Sequence, residues 1–407
     1  MKRIILFGLS LLAGTGLFAQ QETPATYKLY GFIRNYAVFD TREVNAGTQD
    51  LYFYMPKDEK LVDGTDMNAV PTFRMFSLTT RLGLNVSGYQ FGDMKVGGAV
   101  EADFYCMNGS VATLRMRQAY VGLTWDDVAG HKLLLNVGQT WHPMAVDMPH
   151  ITNLETGAPF NPFNRSPQVM AHYSLGKATL TGGFIFPMQF LPIGPDGKSV
   201  NYNKYGLVPE MYLGIAYASG GFTGKVGVDL FTSKPRYTKG LSDRLVAVSP
   251  FVFGQYTQGK FQIKAKSILA QSGEHMNLLS GYGVSKVLSD GSYEYTPMRD
   301  WASFISCQYG KKVQFLATVG YMKQLGTTKD LVSTDLLWIN TSAATSINEA
   351  FRFTPTIAWN IGKLTVSIEY NATAARFGRG ERNARGLYGD GKWILNNRIE
   401  NMVKFNF

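Results

Sequence analysis

The chain has 407 residues, a formal net charge of +10, 17% charged residues and 13% aromatic ones. Beyond the N-terminus no run of about 18 apolar residues occurs, which excludes a bundle of membrane-spanning helices. Two cysteines, Cys106 and Cys307, cannot build a disulfide framework, and both are expected as free thiols. The 43 Gly and 22 Tyr, with few stretches of helical period, suit many strands joined by turns. That composition leaves a secreted β-rich lectin or hydrolase open beside a membrane barrel.

In chain order, Lys2 and Arg3 precede an apolar run over 4–19, the pattern of a cleaved secretory signal. Cleavage is expected after Ala19, and the large Leu17 three positions before the cut lets it slip by a residue. No Cys follows the run, so no lipid anchor is expected. The mature chain, 20–407, reads as one domain carrying +8 once Lys2 and Arg3 are cut away.

Gly-bearing turns recur at 90–93, 126–130, 175–177, 219–221, 258–260, 309–311 and 360–363, each between alternating segments, the signature of hairpins. Seven hairpins make fourteen strands, and the first and last strands bring the expected total to sixteen. An even number leaves both termini on one rim. The expected strands are 27–40, 73–88, 94–106, 113–125, 132–142, 168–175, 178–186, 208–218, 222–232, 245–257, 261–271, 302–308, 313–322, 351–359, 364–374 and 397–407. Most approach the roughly 9–11 residues that cross a bilayer at about 45° tilt.

Several strands are two-faced. Phe76, Leu78, Leu82, Leu84 and Val86 alternate with Ser77, Thr79, Arg81, Asn85 and Ser87, and Leu364, Val366, Ile368 and Tyr370 with Thr365, Ser367, Glu369 and Asn371. A sandwich would bury the apolar face, whereas a sixteen-strand barrel turns it outward around a wet interior. The connections between hairpins are long, at 41–72, 143–167, 187–207, 233–244, 272–301, 323–350 and 375–396, and only 108–112 is short. Long loops on one rim and tight turns on the other fit a transmembrane antiparallel barrel with short periplasmic turns and long extracellular loops. Pro209, Pro250 and Pro355 fit the strands badly. The sixth and twelfth strands are weak, 331–340 suits a loop helix or another hairpin, and fourteen or eighteen strands stay open.

A charge facing mid-membrane lipid costs about 2–4 kcal/mol, so strand charges are expected inside. These are Arg34, Arg81, Glu101, Asp103, Arg115, Arg117, Lys264, Lys266, Arg352 and Glu369. Leu123 and Trp125 share parity with Arg117, and a bulge near Gln118 would reconcile them. The bland role for these charges is solvation and cross-strand pairing, Arg81 and Arg117 with Glu101 and Asp103. The functional role is a basic field that enriches anions.

The loop 143–167 carries Asp147, His150, Glu155 and Arg165, stiffened by Pro159, Pro162 and Pro167. It reads either as a constriction, with Asp147 and Glu155 against Arg34, Arg81 and Arg115, or as a cap on the mouth. Arg376, Arg379, Arg382 and Arg385 lie in 375–396 as a solvated loop, an anion funnel or a phosphate-binding stripe. Five histidines show no metal-ligand spacing and no nucleophile is placed beside one, so neither cofactor, metal nor catalytic residue is expected.

At the C-terminus Ile399, Val403, Phe405 and Phe407 alternate with polar residues. Val403, Phe405 and Phe407 resemble the terminal assembly signal of bacterial outer-membrane proteins, which implies the barrel-assembly machinery as a partner. The last strand would pair with the first, with Phe407 facing lipid and Lys404 and Asn406 inward.

Thr80-Arg-Leu-Gly-Leu84, Val100-Glu-Ala-Asp-Phe104, Leu114-Arg-Met-Arg-Gln-Ala-Tyr-Val121 and Val137-Gly-Gln-Thr-Trp141 resemble the N-terminal half of DcaP-like porins. The likeness spans 78–142, and the whole also resembles porins of Bacteroidetes-type Gram-negatives. It implies a sixteen-stranded homotrimer passing small, often anionic, hydrophilic solutes, and an inward loop after the fifth strand. The downstream loops carry no such likeness, so the preferred solute is not implied. The expected function is an outer-membrane porin with anion preference, in contact with lipid and lipopolysaccharide and with no nucleic-acid partner. A barrel enzyme of phospholipase or protease type, or a non-conducting adhesin or anchor, is the alternative.

Overall fold

The computed structural model describes residues 24–48, 51–108, 111–152, 157–340 and 346–407, so the segment 1–19 and Glu155 lie outside the described residues. Sixteen antiparallel strands close into one barrel. They are β1 (Thr26–Asp40), β2 (Thr72–Phe76 and Arg81–Phe91), β3 (Met94–Asn108), β4 (Val111–Val128), β5 (His131–Trp141), β6 (Arg165–Leu175), β7 (Ala178–Ile185) and β8 (Glu210–Ser219). The second half is β9 (Phe222–Ser233), β10 (Leu245–Gln258), β11 (Phe261–Gln271), β12 (Tyr293–Gly310), β13 (Val313–Thr327), β14 (Ile347–Ile361), β15 (Leu364–Arg382) and β16 (Tyr388–Asn406). Each pairs with its neighbours in sequence, and β16 returns to β1 with Ile33 opposite Phe405. Closure leaves the sheet no edge with unpaired backbone groups, which a hydrocarbon environment requires.

The two faces are inverted relative to a water-soluble domain. Ile305, Phe353, Ile368 and Ile399 are exposed, while Ser306, Thr354, Ser367, Asn371, Asn396 and Arg398 are buried. Alternation along each strand turns apolar side chains outward and polar ones into the interior. The end of β16 follows the same rule. Val403, Phe405 and Phe407 are exposed on the outside, and the Phe407 N–H donates to the Gly31 carbonyl at 3.1 Å. Gly31 leaves room for the terminal ring: a Cβ there would lie 2.8 Å from Phe407 Cζ.

Two irregularities re-aim side chains. Between β3 and β4 the register slips so that Gln118 faces Glu101 and Met116 faces Ala102, leaving Arg117 as the extra residue. This bulge lets Arg117 point inward while Val121, Leu123 and Trp125 share the outer face with Leu114 and Met116. The second lies in β2, expected as one continuous two-faced strand. It breaks at 77–80, where Thr79 adopts φ +66°. Leu78 is buried with Tyr36, Val38 and Met402, and Phe76 packs against them, whereas Phe73 and Met75 are exposed. The face of Phe76 and Leu78 is therefore a correction: one inserted residue reverses parity.

Several strands run past their expected ends, most of all β15 and β16. Their pairing continues to Arg382 opposite Tyr388, so 375–396 is a long hairpin rather than a loop. The arginines there are spread along that hairpin and engaged: Arg379 pairs with Asp58 at 2.7 Å, Arg385 with Asp330 at 2.5 Å and Arg376 with Glu349 at 3.6 Å. Arg379 and Arg385 tie neighbouring loops to the hairpin and Arg376 pairs across to β14, so the arginines form no single stripe. Residues Leu337–Ile339 form a short strand against 281–283. Pro209 precedes β8, while Pro250 and Pro355 sit within β10 and β14. Cys106 and Cys307 are free thiols.

Candidate functional site

The arginines of the first strands meet at mid-height inside the barrel. On β3, Glu101 and Asp103 are buried side chains two residues apart and so on one face. Arg117 donates from Nε to Glu101 Oε1 at 2.6 Å and from Nη1 to Asp103 Oδ2 at 2.8 Å. Arg115 grips Asp103 with both prongs, at 3.1 and 3.0 Å. Arg81 lies 3.7 Å from Glu101, and the Tyr30 hydroxyl donates to the same carboxylate at 3.2 Å. Thr79, turned inward by the break in β2, accepts from Arg34 Nε and Nη2 at 3.0 and 2.7 Å.

Arg165 joins this wall. It was expected in the loop, yet it is the first residue of β6, fully buried, with its guanidinium 4.8 Å above the Trp141 ring. Its Nε donates to Gln189 at 3.0 Å, while Nη1 has no hydrogen-bond partner among the described residues. Arg81, Arg115 and Arg117 thus share two carboxylates, and Arg34 and Arg165 stand in the same wall on neutral partners. A chamber of about 630 Å³ opens against Arg115, Arg117 and Arg165, with Tyr52, Gln139 and Phe190 around it.

The opposite wall is covered by residues 143–152 and 157–164, which lie against inward-facing side chains of β11–β15. Lys266 donates to the Met144 carbonyl at 2.5 Å and to Asn161 Oδ1 at 2.9 Å, and Lys264 to the Met148 carbonyl at 2.8 Å. The His150 N–H donates to Ser306 at 2.7 Å, and its carbonyl accepts from Thr318 at 3.1 Å. Thr152 donates twice to Glu369 Oε2, at 2.6 and 3.0 Å. Arg352 donates to the Ala158 carbonyl at 3.2 Å and lies 5.3 Å above the Phe160 ring. Phe160 seats against Gly320, where a Cβ would fall 2.5 Å from the ring.

Asp147 pairs with Lys225 on β9 at 2.6 Å, not with Arg34, Arg81 or Arg115. Its expected partners stand across the interior, and sequence could not show which wall the loop follows. His150 is half-buried; burial, reinforced by the Lys264 ammonium, pushes it down to about 4 and leaves it uncharged at neutral pH. Lys225, Thr79 and Tyr52 were not singled out in the sequence. Lys225 and Thr79 had a signal there, a place on the polar face of an alternating strand, and Tyr52 had none. Elsewhere, His142, Glu210 and Asp229 bring ligand atoms within 4.8 Å of one another, the one such metal-capable group among the described residues.

No protein-family model and no curated protein matches the chain. Solved structures do. The outer membrane channel DcaP of Acinetobacter baumannii is similar over 94% of this chain and 97% of its own, with a TM-score of 0.69 and 20% identity. An anion-selective porin from Comamonas acidovorans matches over 94% and 100%, with a TM-score of 0.55 and 11% identity. Salmonella typhi OmpF, in complex with daunomycin, matches over 94% and 97%, with a TM-score of 0.53 and 14% identity. At such identities the likeness establishes architecture, and the architecture is the closed sixteen-stranded barrel of outer-membrane porins.

Proposed function

We propose that the protein is an outer-membrane porin that passes small hydrophilic solutes down their gradients and prefers anions. The observation that carries this reading is the unequal sharing at mid-barrel: Arg34, Arg81, Arg115, Arg117 and Arg165 against Glu101 and Asp103. Inside low-dielectric walls such an excess focuses a positive potential on whatever enters the chamber. Lys264, Lys266, Arg352 and Glu369 belong to the same lining, but their hydrogen bonds hold the constriction segment containing Asp147 and His150. Transport of this kind uses no cofactor and no catalytic residue.

The remainder of the reading follows the architecture. Segment 1–19 directs export and is removed, Val403, Phe405 and Phe407 serve the assembly machinery, and tight turns face the periplasm. The long loops face outward, toward lipopolysaccharide, in a Bacteroidetes-type Gram-negative host. The barrel assembles as a homotrimer, as one comparison structure, a trimer form of OmpT from Vibrio cholerae, does. Planar-bilayer recording of the purified protein tests the proposal. Stepwise conductance in groups of three, with reversal potentials favouring chloride in a salt gradient, is expected. A sealed bilayer overturns the channel and leaves an anchor or enzyme, and cation preference overturns the basic filter.

A further inference from the structure

Where β5 ends and β8 begins, four side chains from distant parts of the chain converge and are fully buried. His142 follows β5, Glu210 opens β8, Asp229 lies on β9, and His275 comes from the helical turn Gly273–Met276. His142 Nε2 is 2.6 Å from Glu210 Oε1 and 3.6 Å from Asp229 Oδ1. His275 Nε2 is 3.6 Å from Glu210 Oε2 and 3.9 Å from Asp229 Oδ2. Among the described residues, Glu210 Oε2, both Asp229 oxygens and His275 Nε2 have no hydrogen-bond partner.

The hydrogen bonds at the far side of each ring assign the tautomers. The Met144 N–H donates to His142 Nδ1 at 3.1 Å, so the ring hydrogen is on Nε2 and is given to Glu210. In His275 the Nδ1 faces the Ser272 carbonyl at 3.0 Å and carries a hydrogen, which leaves Nε2 as the ring atom available to the carboxylates. Nε2 is thereby turned toward two carboxylates, where either a proton or a metal ion can sit between nitrogen and oxygen. No Lys or Arg reaches either carboxylate among the described residues, so the two imidazoles are the groups left to balance them. A divalent cation between them would balance the carboxylates and take the unpartnered Glu210, Asp229 and His275 atoms as ligands.

We propose that Glu210, Asp229 and His275 ligate a divalent transition-metal ion of the Zn²⁺ class, with His142 orienting Glu210. Mixed imidazole and carboxylate donors suit Zn²⁺ and its neighbours rather than Ca²⁺ or Mg²⁺, which take oxygen ligands. Nitrogen–oxygen separations of 3.6 and 3.9 Å close readily around an ion about 2.0–2.2 Å from each donor. The Ser272 carbonyl behind His275 and the His142 donor behind Glu210 are the supports that metal ligands ordinarily have. Phe231, stacked 4.0 Å from the His275 ring, keeps the imidazole in place. The ion joins the root of the 143–164 segment to β8, β9 and the 272–280 turn, and it does so whether or not the barrel conducts.

The test uses full-length barrel in detergent, stripped with chelator and then dialysed against Zn²⁺ or Co²⁺. One ion per chain, a Zn²⁺-dependent rise in melting temperature, and a Co²⁺ spectrum with imidazole nitrogen in its coordination shell are expected. His275→Gln and Asp229→Asn should each weaken binding more than about 100-fold, and His142→Gln by about 10–100-fold, the range for groups that hold a ligand. Heat-modifiable electrophoretic mobility reports whether each variant is folded. Wild-type protein that takes up no ion, or a folded His275→Gln barrel that binds as wild type does, overturns the site. If the variants do not fold, the wild-type Co²⁺ spectrum decides, and a shell without imidazole overturns it.

Discussion

The two inner walls of the barrel carry similar numbers of charges and use them differently. On β1–β6 the guanidiniums bond sideways to Glu101, Asp103 and Thr79, and those of Arg115, Arg117 and Arg165 line a chamber. On β9–β15 the charges bond to the crossing segment, mostly to its backbone carbonyls and amides, and are spent on holding it. A charge is available to a solute only where the fold has not already given it a partner. On the proposed function, one wall selects and the other constricts.

The comparison is broken most severely at Asp103. Asp103→Asn leaves Arg115 and Arg117 without their shared carboxylate, and losing one side of a buried pair costs about 3–5 kcal/mol. Urea unfolding in micelles should show the loss, while the reversal potential moves further toward chloride. On the other wall, Lys266→Met strands Met144 O and Asn161 Oδ1, at about 1–3 kcal/mol for each unsatisfied acceptor. Limited proteolysis should then cut within 143–164, with larger and noisier conductance; unchanged protection would show that Lys266 does not hold the segment.

Arg165→Gln separates selection from stability. Arg165 has no carboxylate partner, and the loss is limited to the Gln189 hydrogen bond and the Trp141 stacking, so the melting temperature should fall less than in Asp103→Asn while chloride preference falls. An unaltered reversal potential would remove Arg165 from the filter. The smallest effect is at His150, held at about 4 against an ordinary 6.5. Because its folded value is depressed, the released segment takes up a proton first as pH falls. Attachment is then at full strength above about 6.5 and weakens as pH drops toward 4. His150→Gln should flatten that acid-side decline in melting temperature, and a parallel decline in both proteins would assign it to other groups.

Most of the barrel was legible because its signals are local. A Gly-bearing turn between two alternating segments specifies a hairpin within about twenty residues, and the strand Phe261–Gln271 follows its pattern residue for residue. The bulge at Gln118 was legible too, since Leu123 and Trp125 could not face lipid alongside an inward Arg117 without it. The break at 77–80 was not: Phe76 and Leu78 continue an unbroken two-residue period, and only their packing on Tyr36 and Met402 reverses it. The hairpin at 375–396 was hidden by glycines that read as loop.

Sequence by itself determined the strands, the turns, the inverted faces and the closing strand that ends in Phe407, because each depends on neighbours a few residues apart. Tertiary structure alone decided which wall 143–164 follows, that Asp147 meets Lys225, and that Arg165 belongs to the basic chamber. It alone brought His142, Glu210, Asp229 and His275 together. Those contacts link residues far apart in the chain, and a period-2 pattern states which way a side chain points but not what stands opposite it across the barrel.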